Sequence, residues 1–415
     1  MSMVNERTAP EIRVDGFTKP WESGLLGNIM EITSVKRIHQ SDWTDRGVRF
    51  IRARDIVAIA KGEEVTDLLY ISRDKYDEYS ALSGKVKVGD LLVTGVGSIG
   101  VPMLIENDEP LYFKDGNVIW FRNNSFDGRF FYYSFRGESI QKYIRDVAGV
   151  GTVGTYTIDS GKKTPIQFPT AEEEQATIGN FFRDLDDTIT LKKQQHEQAV
   201  NIKKAMLEKM FPKKGADVPE IRFEGFVRNW EVKRLDGLAD IGDGLHGTPK
   251  YDNDGEYYFI NGNNLNNGRI IITSETKRIG GIAFNKIRID FNENTIFMSI
   301  NGTIGNVGFW NNEKIALGKS VAYFNINEII MPQFAFYVLQ TNPLLAYFND
   351  SLTGTTIKNL GLNAIRSAKI IIPDLAEQTA IGNFFCNLDT LIEAQQEELK
   401  KLQNIKSACL SKMFV

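Results

Sequence analysis

The chain has 415 residues, 42% of them hydrophobic and 25% charged, with a formal net charge of −4. That composition fits a soluble globular protein of two or three domains at about 150 residues each. It excludes a membrane span, which needs a run of about 20 apolar residues, and the acidic balance argues against a protein that wraps nucleic acid unaided.

The start, MSMVNERTAPEIRVDG, lacks the apolar core of a secretory leader. Cys386 and Cys409 fall on one expected helix, about 35 Å apart at 1.5 Å per residue, too far to bond to each other. With only His39, His196 and His246 besides, no Cys-based zinc cluster or multi-His metal site is expected. A reducing, cytoplasmic location follows as the expectation.

Read in chain order, nearly everything occurs twice. APEIRVDGFTKPWE at 9–22 returns as VPEIRFEGFVRNWE at 218–231, and RFIRARDI at 49–56 as YFINGNNL at 258–265. DLLVTGVGSIG at 90–100 answers TIFMSINGTIG at 295–305, and NVIWF at 117–121 answers SVAYF at 320–324. EEEQATIGNFF at 172–182 answers LAEQTAIGNFF at 375–385, and EKMF at 208–211 answers SKMF at 411–414. The offset shrinks from 209 (Trp21 to Trp230) to 203 (Phe182 to Phe385), so short loop changes separate two copies of one unit.

Each unit opens with a mixed part. RFIRARDI and DLLVTGVGSIGVPMLI read as short strands with Gly turns between them. FFYYSFRGESIQKYI and QFAFYVLQTNPLLAYF read as amphipathic helices. Each unit then closes on one long helical pattern. Ile178, Phe181, Leu185, Ile189, His196, Ala199, Ile202, Met206 and Met210 recur at three- and four-residue steps, as do Ile381, Phe384, Leu388, Ile392, Leu399, Leu402, Cys409 and Met413. A helix of about 40 residues spans about 60 Å and cannot bury its stripe alone. The two helices are therefore expected to pack on each other, antiparallel if a pseudo-twofold axis relates the units.

The acidic EEEQ turn suits a helix start, and Phe181, Phe182, Phe384 and Phe385 are expected to pin each helix base to its head. The expected class is α+β. A first head spans 1–170, a long helix 171–213, a second head 214–373 and a second long helix 374–415.

Two similar heads held apart by a rod suit a ligand with two similar sites, and duplex DNA is the commonest. The order of parts carries a resemblance. Each head begins PEIRxxGFxxxWE, holds a strand followed by GSIG or GTIG, and ends EQxxIGNFFxxLD. The whole chain resembles the DNA specificity subunit of type I restriction–modification enzymes. The resemblance implies that the heads are target recognition domains and that the helices are spacers and docking surfaces for two methyltransferase subunits. It further implies a bipartite, asymmetric DNA target with a fixed non-specific gap. The chain itself would do no chemistry and bind no cofactor. Its partners would methylate adenine N6 with S-adenosylmethionine and, where motor–nuclease subunits join, cut unmodified DNA with ATP and magnesium. Partner subunits that clamp the DNA backbone would also account for the lack of basic excess.

Base readout in the major groove uses Arg or Lys for guanine and Asn or Gln for adenine. The first copy offers Arg52 and Arg54, and the aligned second copy Asn261, Asn263 and Asn264, though strand-end turns also favour such residues. The GVGSIG and NGTIG turns offer backbone N–H groups with Ser98 and Thr303; hairpin turns that need Gly are the plainer reading. Lys36, Arg37 and His39 in VKRIHQSDW, and His246, Thr248 and Lys250 in GLHGTPKYDN, are loop residues available to phosphate or base. Thr152 and Thr155, with Thr355, Thr356, Lys358 and Asn359, follow the helices of each head.

No catalytic set competes with this reading. TNPLL lacks the second Pro and the aromatic of an adenine methyltransferase motif, and no nuclease core is visible. The rival is a coiled-coil scaffold with two protein-binding heads, whose polar faces KKQQHEQ and AQQEELKK would carry partners.

Overall fold

The computed structural model describes residues 9–149, 154–266, 268–286, 288–355 and 358–414. The chain divides into two compact units, residues 1–193 with 397–415, and residues 194–396. Each unit therefore holds one head, the opening half of one long helix and the closing half of the other.

In the first unit, Leu91–Thr94 is buried at every position and sits inside a four-stranded antiparallel sheet. A short run of apolar residues closed by a buried Thr makes a strand covered on both faces. Its neighbours are Val118–Arg122, which pairs in turn with Glu31–Thr33, and Pro102–Leu104. A second sheet orders Trp43–Thr44, Leu69–Ile71, Val48–Ile51 and Leu111–Phe113, the last pair parallel.

The second unit repeats the plan. Thr295–Asn301 lies between Val321–Ile326 and Thr303–Phe309, with Ala239–Asp243 at the edge. Tyr257–Ile260 runs parallel to Ile315–Leu317. Even the register repeats: Ile32 faces Phe121, and Ile241 faces Phe324.

Two local expectations change. RFIRARDI is a strand only to Ile51; Ala53–Lys61 is helical. The reason is Asp55, whose carboxylate accepts the Arg52 backbone N–H at 2.9 Å and starts a helix there. Asn264 accepts from Asn261 N at 3.0 Å in the second copy, giving one short turn at Gly262–Asn264. FFYYSFRGESIQKYI forms two helices, Gly128–Arg136 and Glu138–Ala148, and its counterpart forms Pro332–Val338 and Asn342–Asp350.

The long helices run Glu172–Lys209 and Leu375–Lys412. Their repeated opening phrase has a repeated job. Arg13 grips both oxygens of Glu174 at 2.8 Å, and Arg222 grips Glu377 at 2.6 and 2.7 Å. Gln175 accepts from Asp127 N and donates to Pro169 O; Gln378 accepts from Met331 N and donates to Pro373 O. A Cβ on Gly179 would lie 2.8 Å from Phe130 N, and one on Gly382 2.9 Å from Gln333 Cβ. Only glycine lets the helix approach its head so closely.

Tyr133 and Tyr337 each donate to the Asp of IGNFFxxLD, Asp186 and Asp389, at 2.8 Å. Phe182 and Phe385 are the pins, fully buried, whereas Phe181 is 41% exposed and Phe384 only partly covered. The repeated KMF closes each unit. Phe414 stacks on Phe182 at 5.5 Å, and Phe211 on Phe385 at 5.9 Å.

Inside each unit the helix segments pair antiparallel. In the first, Lys406 holds Asp186, and Lys192 holds Glu398 at 2.9 Å. In the second, Lys203 holds Asp389 at 2.6 Å. Ile202 lies outside the seam, 42% exposed, and Lys203 takes its place. Its apolar stem lies along the seam while its ammonium reaches the Asp. Among the described residues no helix is long and apolar enough to cross a membrane.

Candidate nucleic-acid interface

In each head the strand pairing gathers loops at one rim. Val48–Ile51 and Leu111–Phe113 run parallel, so their C-terminal ends lie on the same side. Thr94 pairs with Val118, which brings the loop after Leu91–Thr94 to that side too. The cross-links are direct: Lys114 N donates to Ile51 O, Gly95 N to Asn117 O, and Tyr156 N to Gly95 O, each at 2.8 Å. Val96 bridges Thr155.

The second head builds the same rim. Gly318 N donates to Ile260 O at 2.8 Å, Ile300 N to Ser320 O at 2.9 Å and Gly302 N to Lys358 O at 3.1 Å. Asn301 bridges Asn359, and Leu245 bridges Gly318. A cleft of about 520 Å³ opens here, lined by Asp243, His246, Asn301, Lys319, Asn359 and Arg366 among others.

The rim collects Arg37, Ser98 and Thr155 in the first head, and His246, Asn261, Thr303, Lys358 and Asn359 in the second. Ser98, Thr155, Thr303, Thr355 and Lys358 are exposed, as are Thr248, Lys250 and Asn263. Thr152 and Thr356 lie outside the described residues. The Lys36 ammonium lies 4.5 Å over the Tyr79 ring, whereas His39 is exposed, and its backbone N–H donates to the Asp42 carboxylate at 3.1 Å.

Arg52 is committed to the fold. Its guanidinium donates to both Asp55 oxygens at 3.0–3.1 Å and to Asp67 O at 2.7 Å, leaving the side chain 18% exposed. Arg54 is freer, paired to Asp67 at 3.2 Å. Asn264 is likewise tied, its amide donating to Ile271 O at 3.0 Å. The Gly turns serve themselves: Gly100 N donates to Thr94 O at 2.8 Å, and Gly97 and Gly100 sit at φ of 71° and 75°.

Sequence reasoning passed over four rim residues, Lys114, Asp115, Asn301 and Lys319. A signal existed, since KDGN and LGKS precede the two aligned strands at equivalent places and both carry a Lys. Lys319 is exposed and makes no ion pair among the described residues.

A hydroxyl-, amide- and cation-bearing rim can donate to phosphate and to base edges. Comparison with known proteins points the same way. The family described as "Type I restriction modification DNA specificity domain" matches residues 18–201 and again 227–404. The type I restriction enzyme MjaIX specificity subunit of Methanocaldococcus jannaschii is 25% identical, over 97% of this chain and 94% of that one. The putative MjaX specificity subunit of the same organism is 23% identical, over 99% and 96%. In fold, the S subunit of a type I restriction–modification system from M. genitalium superposes with a TM-score of 0.59 at 15% identity, over 98% of this chain and 99% of that one. With one family match on each copy of the repeat, the chain belongs to the type I restriction–modification DNA specificity family and is a specificity subunit with two specificity domains.

Proposed function

We propose that each head reads one half of a bipartite, asymmetric DNA sequence and that the chain brings two methyltransferase subunits to adenine N6 within it. Where motor–nuclease subunits join, the same reading directs cleavage of unmodified DNA. The observation that carries this is a rim built twice on one backbone plan with different side chains. Position 37 is Arg where 246 is His, and position 116 is Gly where 319 is Lys. One plan with two chemistries suits two differing half-sites.

The chain's own contribution is positioning. Rim loops set the register on DNA, and partners carry S-adenosylmethionine, ATP and magnesium. Reconstitution tests this: the partner methyltransferase with this chain should methylate adenine in one divided motif, and without it should methylate none. Methylation of the same motif without the chain would refute the proposal.

A further inference from the structure

Among the basic rim residues of the first head, Arg37 stands apart. Its side chain is 66% exposed, yet it is held at one end: Nε donates to Asp115 Oδ2 at 2.8 Å. Its two terminal nitrogens carry no hydrogen bond among the described residues. Asp115 is only 9% exposed, and its Oδ1 is buried without a hydrogen-bond partner; the Lys114 ammonium lies 4.0 Å from it. A carboxylate that grips Nε fixes the guanidinium plane and leaves the Nη1/Nη2 fork pointing away as a two-donor end. Guanine offers the matching pair of acceptors, O6 and N7, in the major groove. No other base presents two acceptors there.

The second head repeats the device at the equivalent position with other parts. Residue 246 is 209 after residue 37, the offset that also relates Ile32 to Ile241 and Phe50 to Phe259. It is His246, 73% exposed, with Nε2 2.7 Å from Asp243 Oδ2. The carboxylate comes from the end of a strand, Ala239–Asp243, and not from a turn as Asp115 does, but again a buried or half-buried Asp holds an exposed basic ring or fork at the rim.

Resting on the function proposed above, we infer that Arg37 reads a guanine in the half-site of the first head, with Asp115 as the residue that positions it. His246 occupies the corresponding place for the other half-site. Arg52, which composition alone favours, takes no part in reading.

The test uses the full chain assembled with its methyltransferase partners, on duplexes in which each base pair of the wild-type motif is changed in turn. Arg37→Ala removes the fork outright. It should lower preference for one G·C pair by about tenfold or more, with every other position and the other half-site unchanged. Asp115→Asn, close in size, should weaken the same position to a smaller extent. His246→Ala should alter the other half-site, and Arg52→Ala should leave the motif intact.

An unchanged motif for Arg37→Ala would overturn the inference, because it would mark a phosphate contact or none. So would an equal loss at every position, or a change in the same half-site from Arg37 and His246 variants. Absence of any divided motif with the wild-type chain would instead overturn the proposed function itself.

Discussion

Arg13 and Arg222 bind the first turn of a long helix to the segment that opens each head. Glu174 and Glu377 are almost completely buried, and Trp21 Nε1 adds a third contact to Glu174 at 3.1 Å. Removing one partner of such a pair leaves a buried charge uncompensated, at a cost of about 3–5 kcal/mol. Arg13→Ala should therefore lower the denaturation midpoint of the chain strongly, measured in urea. Gly382→Ala tests a second contact. In an exposed helix Ala would gain about 1 kcal/mol over Gly. Here the new methyl meets Gln333 Cβ at 2.9 Å, and overpacking of this kind costs about 1–3 kcal/mol. A net loss of stability is expected on chemical denaturation, and a net gain would show that the interface yields. At this scale the repeat was legible in the sequence because identical jobs keep identical residues. Arg52 suits DNA by type, and only the Asp55 and Asp67 contacts reveal that its Nε and one terminal nitrogen are engaged within the fold.

The long helices were legible from their period, yet one seam position was not. Three- and four-residue steps from Ala199 reach either Ile202 or Lys203, and hydrophobicity favours Ile202. The choice falls on Lys203 because Asp389 stands opposite it, already accepting from the Tyr337 hydroxyl. Burial, and then the nearby carboxylate, raise the Tyr133 and Tyr337 phenols well above the usual range, so both stay protonated and donate. Burial pulls the Lys406 ammonium down, against the opposing pull of Asp186. These half-buried Lys–Asp pairs fix which residues of the two helices face each other, a use of polar seam residues known from coiled coils. A double-mutant cycle on Lys203→Ala and Asp389→Ala should give a coupling of about 1–2 kcal/mol, read from the unfolding of the chain. A coupling near zero would assign register to Phe211, Phe385 and their apolar neighbours alone.

At the scale of the whole molecule the charge is the informative property. A net charge of −4 on 415 residues supplies few counterion-releasing contacts. The isolated chain should bind its target weakly, with a shallow salt dependence, and the complex with partner subunits should bind tightly with a steep one, both measured by titration at several salt concentrations. The duplication was visible end to end in the sequence, and so was the mixed class of each head. The rim was not, because it depends on which strands run parallel. The Val48–Ile51 and Leu111–Phe113 pairing brings Arg37, Asp115 and Thr155 to one edge from three distant stretches.

The most direct test of the central claim, one head for each half of a divided target, is a genome-wide map of N6-methyladenine in the source strain with this gene intact and deleted. Loss of methylation at a single asymmetric motif of two parts and a fixed gap is the predicted result. Loss at an undivided motif, or an unchanged map in cells that express the partner methyltransferase, would contradict it.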